Sequence, residues 1–165
     1  MKKALRFILP ALAVALVVLL LLWQNGVFTG GAPQGEPVGT ARIAIRCDRA
    51  LACETLKEET RAILPENGVI GEGELTLYEG DTAFTALTRY CKEHKIALAS
   101  VGATRYGVYV EGIGGLYELD GGASSGWMFS VNGEFPGKSA GDVSVVDGDE
   151  ILWVYTLDLG KDVEG

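Results

Sequence analysis

Histidine is nearly missing from this chain: His94 is the sole imidazole in 165 residues. Catalysis built on paired histidines, or on a multi-histidine metal centre, therefore has no basis in the sequence. Cysteine is scarce too. Cys47, Cys53 and Cys91 make an odd number with no C-x-x-C pair, which excludes a structural zinc site of the usual spacing. Basic residues are outnumbered, 14 Lys and Arg against 22 Asp and Glu. Three of those bases, Lys2, Lys3 and Arg6, come before residue 7, so residues after 23 carry a net −11. That balance excludes a phosphate-tracking nucleic-acid surface, which needs clustered Lys and Arg. It equally opposes docking of the domain itself onto anionic lipid.

What is present begins with a hydrophobic segment. Phe7 to Trp23 is an uncharged run of 17 residues, rich in Leu, Val and Ala. It is near the short end of what spans a bilayer and longer than a typical secretory core of ~7–15 apolar residues. The preceding bases place the N-terminus in the cytoplasm and the rest outside. Residues 1–23 thus read as a signal anchor, a transmembrane helix that tethers the chain to the cell membrane. Cleavage near Gly30-Gly31-Ala32 is the rival, which Pro33 disfavours; either way the remainder is extracytoplasmic, and cleavage would leave it secreted. Residues 24–39 hold five Gly and two Pro in sixteen positions, a composition that cannot pack a core and reads as a linker.

The folded part is expected from Thr40. Arg42–Cys47 alternates as a strand. Leu51–Leu64 reads as a helix ended by Pro65, and Glu74–Tyr78 as a second strand. Ala83–Lys95 carries Phe84, Leu87, Tyr90 and Cys91 on one stripe, a helix laid on a sheet, with Asp81 or Thr82 as its N-cap. Further strands are expected at Ile96–Ser100, Gly107–Ile113, Leu116–Leu119, Trp127–Val131 and Glu150–Leu157. Asn132-Gly133 is a strong hairpin signal, and Asp147-Gly148 repeats it. The order predicts an α+β domain, β-grasp-like, with a mainly antiparallel sheet packed on one main helix.

Candidate chemistry is thin. Gly121–Gly126 is glycine-rich but lacks the following helix and Lys of a phosphate cradle. Asp147, Asp149 and Glu150 lack calcium-loop spacing. Ser124 and Ser125 have no histidine partner, so no enzyme is expected. Cys47 and Cys53 are candidates for a disulfide in an oxidising compartment, with Cys91 left over, but spacing alone does not pair them. Alternation puts Trp127, Phe129 and Val131 on one face of their strand, and Ile151, Trp153, Tyr155 and Leu157 on one face of the last. Either these aromatics fill the core or they form an exposed patch for a partner.

The stretches Gly126-Trp127-Met128-Phe129-Ser130-Val131-Asn132-Gly133 and Asp147–Thr156 with Asp158-Leu159-Gly160, preceded by Glu79–Phe84 and Tyr109–Glu118, resemble a bacterial domain-of-unknown-function family described as transcobalamin C-terminal-like. The resemblance covers about residues 40–160 and leaves 161–165 as a tail. It implies a soluble-ligand-binding β-grasp domain on an exported protein, with no catalysis and no required cofactor. It also implies cobalamin or another corrinoid as ligand. Its site would draw on Ser125, Gly126, Trp127, Phe129, Asn132, Gly133, Trp153 and Tyr155, with Gly126–Phe129 and the loop after Asn132-Gly133 nearest the ligand. Many relatives carry extra cysteines near the positions of Gly121, Ala140 and Leu157, and this chain has none there. The alternative partner is another cell-envelope protein, reached through a sheet edge or the aromatic face.

Overall fold

In the computed structural model, residues 35–104 and 107–163 are described. Among them no helix is long and apolar enough to cross a membrane, and the expected spanning segment 7–23 lies outside them. The elements are β1 (Pro37–Arg46), α1 (Asp48–Leu51), α2 (Glu58–Ile63), β2 (Val69–Tyr78), α3 (Ala83–Glu93), β3 (Leu98–Thr104), β4 (Gly107–Ile113), β5 (Leu116–Tyr117), β6 (Gly126–Val131) and β7 (Glu150–Thr156). This is an α+β domain, mostly strand. β1 starts at Pro37, inside the stretch read as linker.

Two sheets form rather than one. The larger runs β2-β1-β7-β6 and the smaller β3-β4-β5. Most pairings are antiparallel, but the central pair, β1 with β7, is parallel, with Ile43 beside Ile151 and Ile45 beside Trp153. That register puts Ala41, Ile43 and Ile45 on the same face as Ile151, Trp153 and Tyr155, and all are buried in one core. Leu75 and Leu77 of β2 extend this face, and Ala83, Ala86, Leu87, Tyr90 and Cys91 of α3 belong to the same core. Tyr90 lies over β2 where the strand has no side chain: a Cβ at Gly71 would stand 2.9 Å from the Tyr90 ring. The glycine that weakens β2 as a strand is what lets the helix approach.

The expected helix over 51–64 is broken. Only α1 and α2 form, and the chain between them turns so that Cys53 and Leu56 both face the core. Arg61 holds the break, its guanidinium donating to the carbonyls of Leu51 (2.5 Å) and Cys53 (2.6 Å). Ile63, which a continuous helix would place inward beside Leu56, is 58 % exposed. Helix α3 forms as its periodicity predicts. Thr82 is its N-cap, in a reciprocal box with Thr85.

Asn132 and Gly133 both have positive φ, 53° and 80°, as a tight hairpin turn requires. The return strand stops after one residue: Glu134 pairs with Val131, and Pro136 then follows. The chain instead crosses to the start of α3. There Ala83 N–H donates to Val143 O (2.9 Å) and Phe84 N–H to Ala140 O (3.0 Å). Those are amides the helix cannot satisfy itself, so the long connection 134–149 is held by helix-end donors. Val145 N–H adds a bond to Asp81 O (3.1 Å). Asp81 is itself buried and clamped by Arg89 (2.5 and 3.1 Å) and Thr85 (2.9 Å). Burial pushes the Asp81 carboxyl up, but the bonds from Arg89, Tyr78 N–H and Thr85 outweigh it and hold it below the usual carboxylate range.

Candidate functional site

The two aromatic strands meet face to face as the alternation requires. β6 and β7 pair Trp127 with Tyr155, Phe129 with Trp153 and Val131 with Ile151. Trp127 and Tyr155 make an edge contact (5.3 Å between centroids), while Phe129 and Trp153 stack (5.1 Å, 26° between planes). This face is the core face, not an exposed one. Trp127 is 8 % exposed and Trp153 2 %. Of the two alternatives the alternation left open, Trp127 and Trp153 fill the core: residues that share a face with Ile43 and Ile45 are covered by the same core.

The cover is incomplete. A cavity of about 310 Å³ lies between β4, β6, β7 and the segment 137–140. Trp127, Phe129 and Trp153 line one side; Val108, Tyr109 and Val110 another; Gly137–Ala140 the third. The segment is strapped to β4 by Ser139, whose hydroxyl lies 2.9 Å from Val108 N–H and 3.2 Å from Val108 O. Close approach is possible because β4 begins with glycine: a Cβ at Gly107 would stand 2.4 Å from the Ser139 side chain. Tyr109 is 47 % exposed, with its hydroxyl bonded to Glu118. That bond, with burial, pushes the phenol up to about 12, so it stays protonated.

The polar atoms here are nearly all spoken for. Trp127 Nε1 donates to Leu116 O (2.9 Å). Trp153 Nε1 is the exception: it is buried and has no hydrogen-bond partner among the described residues. An unmade bond of this kind costs about 1–3 kcal/mol.

The other sequence candidates are brought elsewhere. Ser125 and Tyr155 are buried in a structural knot. The Tyr155 hydroxyl donates to Tyr117 O (2.8 Å), accepts from Gly121 N–H (3.1 Å) and lies 2.9 Å from Ser125 Oγ. Burial pushes this phenol up, against the opposing pull of Ser125 and Gly121. The knot ties down the glycine-rich loop that leads to Gly126. Asn132 works at the far end of β6, donating to Asp149 (2.8 Å) and accepting from Glu150 N–H (2.9 Å), with Gly133 at the exposed turn beside it. Of the candidate set, then, Trp127, Phe129 and Trp153 converge on the cavity, while Ser125, Gly126, Tyr155, Asn132 and Gly133 shape the ends of the strands. Gly137-Lys138-Ser139-Ala140 lies in the loop after Asn132-Gly133 that the resemblance placed nearest a ligand, though none of the four was named as a site residue.

The candidate Cys47–Cys53 disulfide is not formed. All three cysteines are free and buried. Burial pushes Cys47 up to about 11 and Cys91 to about 12. Cys53 is held below its ordinary value, chiefly by the Thr55 hydroxyl 3.2 Å from its sulfur, with burial opposing. His94 caps α3 and stacks on Tyr90 (4.2 Å). No group of three or more His, Cys, Asp or Glu is placed to hold a metal ion among the described residues. A larger depression of about 640 Å³ lies on the opposite face of the main sheet, over Ala44 and Leu152. Its rim charges include Arg42, which pairs with Glu150, and Arg46, which pairs with Asp48. It offers no buried unpaired polar atom.

Comparison with known proteins agrees with this architecture. The fold is similar to haptocorrin, solved in complex with Cbi: TM-score 0.53, 14 % identity, 75 % of this chain covered. The chain spans about a quarter of haptocorrin, 27 % of its length. A candidate metal binding protein from Ruminococcus gnavus aligns at a TM-score of 0.44 and 12 % identity, over 72 % of this chain and 96 % of its own. No curated protein matches the chain by sequence. Residues 80–156, from the clamp before α3 to the end of β7, match the family described as Domain of unknown function (DUF4430).

Proposed function

We propose that this protein is a non-catalytic, β-grasp-like binding module held outside the cell by residues 7–23, and that it seats a small ligand of the corrinoid class. The single observation that carries this reading is the cavity floored by Trp127, Phe129 and Trp153 and closed by the segment that follows Asn132-Gly133. Its apolar walls and few polar groups are what a ligand seat requires. The likeness to haptocorrin supports the choice of corrinoids as the first ligands to try. Size limits the mode of binding. About 310 Å³ is at the small end of ligand pockets, so only an edge or side arm of a macrocycle enters, and the remainder rests on the rim near Tyr109.

Calorimetric titration of the full chain with cobalamin and with cobinamide tests the reading. Saturable heat and a raised melting temperature are expected. No heat and no shift with either removes the corrinoid assignment. A second reading has its own observation: Val101, Tyr109 and Tyr117, all on the smaller sheet, are exposed. These suit a protein of the cell envelope as partner. Recovery of a stoichiometric envelope partner that is lost on Tyr109→Ala, with no corrinoid binding, favours it.

A further inference from the structure

We propose that the cavity between β4, β6 and β7 takes an amphipathic anion: an apolar ring, held against Trp127 and Phe129, that presents an oxyanion to Lys138 at the mouth. The inference deepens the ligand-seat reading above and rests on the seat, not on the corrinoid assignment. Its basis is an inventory of the polar groups along the cavity wall. The Trp127 indole is committed to Leu116 O, the Ser139 hydroxyl to the Val108 backbone, and the Tyr109 hydroxyl to Glu118. Lys138 is the one charged residue that lines the cavity; it is exposed and has no ion pair or hydrogen bond among the described residues. Arg42, Arg46 and Arg89, by contrast, are each paired with a carboxylate. Two main-chain donors accompany the ammonium. Gly137 and Lys138 both line the cavity, and their amides have no partner among the described residues. Gly137 is left-handed (φ 59°) and Lys138 is not. Consecutive free amides at a turn of that kind are what an anion concavity is made of.

The chemistry of the ligand follows from where these donors stand. The inner wall is aromatic and aliphatic, so a charge placed against it would lose its hydration without a buried partner. The ammonium is at the exposed rim on a flexible four-carbon stem, so it meets an anion in solvent-accessible space and needs no fixed direction. The ligand is therefore divided, its ring inside and its charge outside. The surroundings set the sign. Residues after 23 carry a net −11, and the wall beside the segment carries the Tyr109–Glu118 pair, so an anion is drawn to Lys138 and not to its surroundings. The space suits one or two rings, in contact with the indole of Trp127 and the ring of Phe129.

Benzene, phenylacetamide and phenylacetate make the test. Benzene reports the seat alone, and the other two share a shape and differ in one charge. The full chain is labelled with ¹⁵N and titrated with each near neutral pH and at low salt, following the amides of 108–110 and 137–140. All three probes are expected to shift those amides, and phenylacetate to bind about fivefold tighter than phenylacetamide, the scale of a solvent-accessible ion pair. Added salt is expected to shrink the preference. In Lys138→Met it is expected to vanish with benzene affinity unchanged, and in Lys138→Arg to persist. If benzene and phenylacetamide bind but phenylacetate is no tighter, or the preference survives Lys138→Met, the anion class is overturned while the seat stands. If Lys138→Met weakens benzene and phenylacetate alike, the lysine shapes the segment rather than reading charge, and the proposal is overturned in the same way. If no probe shifts the amides, the seat falls and the anion class with it. The wild-type preference and its salt dependence decide the matter even if a variant does not fold.

Discussion

The aromatic face of β6 and β7 has two ends built from the same materials and finished differently. At one end, Trp127 and Tyr155 meet edge to face, and the indole N–H, the phenol and Ser125 all find partners. At the other, Phe129 and Trp153 stack just as closely and line a cavity, yet the Trp153 indole N–H is buried without a partner among the described residues. Aromatic content and strand pairing are alike at both ends. Polar accounting is what separates them: the first corner has its indole and hydroxyl groups paired, while the second carries one unmade bond beneath an open cavity. The lesson is that burial of tryptophan does not by itself assign it to structure.

The contrast can be broken first at what holds the cavity's lid. Arg89 clamps Asp81, and Asp81 O takes Val145 N–H of the segment that closes the cavity. Arg89→Met leaves a buried carboxylate unpaired and is expected to cost about 3 kcal/mol in urea unfolding. The pH profile gives the sign. Asp81 is held low in the folded state, so its stabilisation is present above the ordinary carboxylate range and is lost as pH falls through the folded value. Arg89→Met should flatten that acid-side loss; an unchanged profile would assign it to other carboxylates, such as Asp162, which Thr156 and Leu157 also hold low against burial.

A smaller effect tests the finished corner. Tyr155→Phe removes the hydroxyl that serves Gly121, Ser125 and Tyr117, at an expected cost of about 2 kcal/mol by denaturant unfolding. Because folding raises this phenol, its stabilisation is full below about pH 10 and is lost as pH rises through the folded value, so the variant should also lose alkaline sensitivity. Binding of benzene at the other end should be nearly untouched. The smallest effect sharpens the open end. Ser139→Ala cuts the strap to Val108 at about 1 kcal/mol in stability, and here benzene affinity is expected to fall. If Tyr155→Phe weakens benzene binding more than Ser139→Ala does, the two ends are not separate and the comparison fails.

Much of this was legible in the sequence and some was not, for identifiable reasons. The stripe of Phe84, Leu87, Tyr90 and Cys91 gave α3, because one residue per turn toward a core leaves a clear period. Period-two alternation in Trp127–Val131 and Ile151–Leu157 grouped the aromatics correctly by face. It could not say that this face is inward, since alternation is the same whichever side the core lies. The parallel join of β1 to β7 links residues about a hundred positions apart and leaves no local mark. The helix expected over 51–64 failed because Cys53 and Leu56 both needed the core, and Arg61 could satisfy the carbonyls exposed by the break. The turn at Asn132-Gly133 was read correctly but not its sequel, which depends on amides at the distant end of α3. An indole N–H without a partner has no sequence signature at all. It is a property of everything around it.

The parallel pairing of β1 and β7 also fixes when the domain can come into being. The strand made first has for its inner neighbour the strand made last, so the main sheet waits for residue 156 before its centre exists. Local pieces such as α3 can form early, but the layer they rest on is completed only by a late, long-range closure of the slow kind. A chain cut short before β7 would lose the middle of its sheet rather than an edge. What a ribosome releases up to that point is an open hand, and the final seven-residue strand is what closes it.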